Sequence, residues 1–71
     1  MLAFSQSFRK ADRTRRYTIQ TTKAGWEVRQ ELDRHVVRRA YYDDWHRVER
    51  ARRAFIIEIT TLRDDGWTES D

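Results

Sequence analysis

Two periods of apolar and polar positions run along this chain. Over residues 16–22, Tyr17, Ile19 and Thr21 alternate with Arg16, Thr18, Gln20 and Thr22. A period of two with many β-branched side chains predicts a strand. Residues 26–32 repeat the pattern, with Trp26, Val28, Gln30 and Leu32 against Glu27, Arg29 and Glu31. Between them Lys23-Ala24-Gly25 supplies a turn, with glycine for a positive φ. Asp33-Arg34 is a second turn and residues 35–41 a third strand. A two-residue loop there pairs Leu32 with His35 and Gln30 with Val37. That register sends Val37 and Tyr41 into the core and leaves Val36 and Arg38 on the open face, and a loop one residue longer reverses this.

The period then lengthens. Across 43–67, Trp45, Val48, Ala51, Phe55, Ile56, Ile59 and Leu62 fall in one stripe at 100° per residue, which predicts an amphipathic helix. Asp43 or Asp44 supplies the N-cap. Gly66 supplies the left-handed residue just past the helix, and Trp67 follows where a Schellman motif brings a hydrophobic contact back to Leu62. The expected fold is α+β: a three-stranded antiparallel meander packed against one C-terminal helix (βββα), over residues 16–67. Its expected core is Tyr17, Ile19, Trp26, Val28, Val48, Phe55, Ile59 and Leu62. Residues 1–15, with Leu2, Phe4 and Phe8 as isolated apolar beads, are expected as a flexible basic leader, and 68–71 as an acidic tail.

Composition narrows the class. Seventy-one residues allow one small core. There is no cysteine, hence neither disulfide nor thiolate chemistry, and the nine aromatics must supply the packing. No apolar run approaches membrane-spanning length, and the first residues lack the apolar segment of a signal peptide. A soluble, cytoplasmic chain with no membrane partner is the expectation. The net charge is +3, but unevenly spread: Arg9, Lys10, Arg13, Arg15 and Arg16 against Asp12 give residues 1–16 a net of +4, and Asp64, Asp65, Glu69 and Asp71 give the last eight residues −4. Thirteen of the fifteen basic residues are Arg, which favours planar contact with phosphate or carboxylate.

Catalytic chemistry finds little footing. His46 and Glu49 have the i, i+3 spacing of two metal ligands, but no further ligand accompanies them. Asp43-Asp44 and Asp64-Asp65 are explained by the helix ends. No phosphate-binding glycine loop or nucleophile elbow occurs. No enzyme activity, cofactor, metal site or small-molecule substrate is expected. Arg47, Arg50 and Arg53 lie on the helix's outer side, with Glu49 placed to pair with Arg53. Arg52 falls inside the apolar stripe, where it must snorkel over Trp45 or past the sheet edge, or find a partner carboxylate. A homodimer has two candidate contacts, the ridge of Ala54, Ile57 and Thr61 on the helix and the open sheet edge at the first strand.

The strand order, with Gly25-Trp26-Glu27-Val28-Arg29 in the second strand and Glu49-Arg50-Ala51-Arg52-Arg53-Ala54-Phe55 in the helix, resembles two DNA-binding families. These are the ethylene-response-factor type domain of plants and the arm-binding domain of tyrosine recombinases. Both lay a three-stranded sheet in the major groove. With a helical leader the order would also resemble the double-stranded-RNA-binding domain. In brevity and Arg- and Trp-rich style the chain is similar to small bacterial proteins.

Two functional classes follow. The first is a small nucleic-acid-binding or accessory regulatory domain, with Arg9, Lys10, Arg13, Arg15, Arg16, Arg29 and Arg38 as candidate contacts. Removing residues 1–14 is then expected to weaken binding without unfolding the domain. The second is a protein-interaction module or homodimer with no nucleic-acid role. Glu27 and Glu31, on the face that would meet DNA, oppose the first class and are neutral for the second.

Overall fold

Phe4 and Phe8 are spaced by four, which suits one helical turn but equally puts both on one side of a strand. The computed structural model describes residues 2–70 and takes the second option. The elements are β1 (Leu2–Lys10), β2 (Arg13–Thr22), β3 (Gly25–Leu32), β4 (His35–Tyr42), α1 (Trp45–Asp64) and β5 (Thr68–Ser70). The expected leader is therefore a strand and the start of another, and the expected tail contributes a short strand. Met1 and Asp71, the outer ends of those two segments, lie outside the described residues.

The sheet is fully antiparallel in the order β4-β3-β2-β1-β5, so the α+β class holds with five strands in place of three. Tight turns link the first four strands. Ala11 opens the first at φ 54°, and Asp33 and Arg34 both take positive φ (51° and 70°), as a type I′ hairpin turn requires. Gly25 sits at φ +144°, and a Cβ there would lie 2.3 Å from the Tyr42 carbonyl oxygen, so two strands close on this position only because it has no side chain.

The helix packs on one face. Phe8, Tyr17, Ile19 and Val28 of the sheet meet Val48, Phe55, Ile59 and Leu62 of α1 in the core. Tyr17 stacks at 4.9 Å from Phe55 and at 6.3 Å, edge-on, from Phe8. Each such side chain contributes about 1.5–3 kcal/mol on burial. Of the expected core only Trp26 stays half-buried, tilted against Trp45 at 5.3 Å. Phe8, fully buried, is the addition.

The helix begins at Trp45, capped by Asp44, one of the two expected caps, whose Oδ1 accepts from the His46 N–H at 2.9 Å. It closes with a Schellman motif: the Trp67 N–H donates to the Leu62 carbonyl and the Gly66 N–H to that of Arg63. Gly66 has φ +94°, and Trp67 packs against the core. Arg52 snorkels over the Phe4 ring (5.9 Å) and pairs with Glu49 at 3.6 Å. Glu49 thus serves Arg52 rather than Arg53.

The third hairpin corrects the expected register. Leu32 does pair with His35, but Glu31 faces Val36 and Gln30 faces Arg38, so Val37 is an extra residue, a β-bulge. Every later side chain of β4 swaps face relative to the expectation. Arg38 lies on the helix side. Tyr41 lies on the open side at 63% exposure, and Val37 is exposed rather than buried.

Candidate functional site

The face of the sheet that α1 leaves uncovered is built in rows that cross the strands. One row runs Ser5, Thr18, Arg29, Arg39, the next Ser70, Ser7, Arg16, Glu31, and the last Thr68, Arg9, Thr14. These residues share a face because side chains in a strand alternate and the register carries the alternation across neighbours.

Glu27 organises one end. It is only 6% exposed, and four groups converge on it. The Gln20 amide donates to its Oε1 at 2.7 Å and the Tyr41 hydroxyl to its Oε2 at 3.1 Å. Arg39 Nε lies 3.1 Å from Oε2 and Arg29 Nη1 3.7 Å from Oε1. The Gln20 hydrogen bond, with Tyr41 and the two guanidinium groups, holds this carboxyl below its usual range, against the opposing effect of burial. One of the two charges that opposed a nucleic-acid reading, that of Glu27, is thus consumed within the sheet. Glu31 sits 3.7 Å from Arg29 Nε, which makes no hydrogen bond to it.

At the other end Ser7, Arg9, Thr14, Arg16, Glu31, Arg34 and Ser70 border a trough of about 480 Å³. Arg16 Nε donates to Ser7 Oγ at 3.1 Å, which orients its guanidinium group along the sheet. Arg9, Arg16 and Arg34 form no ion pair among the described residues. Three guanidinium groups without an ion-pair partner, beside three hydroxyls and the Glu31 carboxylate, can engage phosphate oxygens.

The candidate contacts divide accordingly. Arg9, Arg16 and Arg29 come together on the open face. Arg13 is occupied at the sheet's end by Asp33 (3.1 Å), whose carboxyl is held below the usual range by the Thr14 N–H first and by Arg13. Lys10, Arg15 and Arg38 belong to the helix side. Lys10 Nζ donates to the Asp65 carbonyl. Arg15 lies 3.5 Å from Glu58 and over the Trp67 ring at 5.2 Å. Sequence reasoning missed Arg34, taken only as a turn residue, and Arg39 and Tyr41, hidden by the bulge. Among the described residues, no group of three or more His, Asp and Glu side chains is placed to hold a metal ion, and no helix is long and apolar enough to cross a membrane. No protein-family model, curated protein or solved structure matches the chain.

Proposed function

We propose that the open sheet face binds the phosphate backbone of nucleic acid. The observation that carries this reading is the division of charge on that face. Glu27 is satisfied by its own neighbours, while Arg9, Arg16 and Arg34 around the trough have no ion-pair partner among the described residues. Tyr41, largely exposed on the same face, adds a ring on which an unpaired base can stack. The Gln20 amide is committed to Glu27 and does not read a base edge, and the contacts proposed for Arg9, Arg16 and Arg34 are to phosphate oxygens.

The test is chemical-shift perturbation with duplex DNA, RNA and polyphosphate at two salt concentrations. Three phosphate contacts imply a salt slope near −2.7, an affinity loss of about 40-fold between about 50 and about 200 mM salt. Arg9→Glu with Arg16→Glu abolishes binding in this account, while Arg38→Glu, on the opposite face, leaves it within about twofold. Absence of binding at low salt, or indifference to the Arg9 and Arg16 reversals, overturns the proposal. Polyphosphate binding as strong as that of nucleic acid would reduce it to an unspecific anion surface.

A further inference from the structure

On the helix side, between β4 and α1, lies a second opening of about 430 Å³. Its floor is apolar, from Val28, Ala40, Ala51, Ala54 and Phe55. Its rim is basic, from Arg38, Arg47 and Arg50, whose side chains have no ion-pair or hydrogen-bond partner among the described residues. Its one carboxylate, Glu58, is already engaged: Oε1 accepts from Gln30 at 3.2 Å and lies 3.5 Å from Arg15. The groove therefore presents an uncompensated positive rim over an apolar floor.

β4 is also an edge of the sheet, with β3 on one side and, among the described residues, no strand on the other. Its outer backbone groups form a template for a further strand. A second copy is a poor occupant. Antiparallel self-pairing about the middle of β4 would set Arg38 and Arg39 against the same residues of the other copy, four like charges in adjacent positions. The bulge at Val37 further guards the edge against its own kind. The same charges favour an acidic strand.

We propose that β4 and the adjoining groove bind an extended acidic segment of a partner protein by strand addition along residues 38–42. Its groove-facing side chains alternate with outward ones. They carry glutamates at the two ends, for Arg38 and for Arg47 with Arg50, and an apolar side chain between them over Ala40 and Ala51. The segment occupies the face opposite Arg9 and Arg16, so the inference is independent of nucleic-acid binding.

The test uses the whole chain and the blocked peptide Gly-Glu-Thr-Val-Thr-Glu-Gly. Binding at or below about 1 mM at low salt is expected. Shift changes should be confined to β4 and residues 47–58, with slowed hydrogen exchange of the β4 edge amides. Arg47→Gln with Arg50→Gln should weaken it about tenfold or more, and lysine in place of both peptide glutamates should abolish it. Both substituted residues are on the helix surface, so an unchanged melting temperature confirms that the variant is folded. Absence of binding, changes centred on Arg9 and Arg16, or binding without edge protection would each overturn the proposal. So would a dimer closed through β4 in sedimentation.

Discussion

Phe8→Ala should come close to unfolding this protein. Phe8 is fully buried, edge-on to Tyr17 at 6.3 Å, with the Arg63 guanidinium 5.8 Å from its ring centre. It is also one of the four side chains by which the sheet meets the helix. Truncating a buried phenylalanine costs about 3–5 kcal/mol, including the cavity it leaves. A 71-residue domain at about 0.05–0.15 kcal/mol per residue has a total of roughly 4–11 kcal/mol to lose. At about 4–8 °C per kcal/mol, the melting temperature should fall by at least about 12 °C. Urea unfolding followed by tryptophan fluorescence reads the same quantity through the midpoint, with the slope unchanged if the transition stays two-state. Phe4→Ala, half-buried at 6.2 Å from Phe55, serves as the graded control and should cost less. A Phe8→Ala protein that loses under about 1 kcal/mol would refute the placement of β1 in the sheet. Deleting residues 1–14 should accordingly unfold the chain, because it removes β1 and its neighbours' hydrogen-bond partners. That is the reverse of what a flexible leader implies.

Gly25→Ala should be worse than Gly66→Ala: the new methyl at 25 meets the Tyr42 backbone, whereas at 66 its nearest contact is the Lys10 side chain at an ordinary 3.9 Å. The Gly66 change should cost about 1 kcal/mol, the backbone penalty of the left-handed region, and denaturant titration of both variants checks the order. Glu27 and Asp33 both have carboxyls held low in the folded state, so their contribution is intact above the ordinary carboxylate range and is lost as pH falls below it toward their lowered folded values. Stability should drop below about pH 4, and Glu27→Gln should flatten that drop. Burial raises the Tyr17 hydroxyl, so its contribution is present below the ordinary tyrosine range and lost above it. Tyr17→Phe should reduce the alkaline loss of stability measured by thermal melts.

The helix was legible because its signals are local and agree: an Asp cap, a stripe at 3.6 residues, and a Gly-Trp stop. The two inner hairpin strands were legible for the same reason. β1 was not, since Phe4 and Phe8 at a spacing of four fit both periods, and only pairing with β2 decides between them. The face of Arg38 was illegible because one extra residue reverses parity, and nothing in Val36-Val37 marks which valine is the extra one. Glu27 read as an obstacle on the open face because its neutralisation depends on three strands at once. Gln20 comes from β2 and Tyr41 and Arg39 from β4, a convergence visible only once the register is known.

The short clasp of β5 on β1 has a consequence for how the chain folds. Every other strand pair is joined by a tight hairpin and closes a loop of two residues, whereas Ser7 meets Ser70 only after nearly the whole chain has been gathered. The hairpins can therefore form early and in any order, and the clasp must come last, once α1 has docked and its Schellman turn has aimed Trp67 and Thr68 back at β1. Held by three residues, it is also the pairing most readily reopened from the native state. Such sub-global openings would expose the outer edge of β1 while the rest of the sheet stays intact, so amide exchange along β1 should outpace that of β2 and β3.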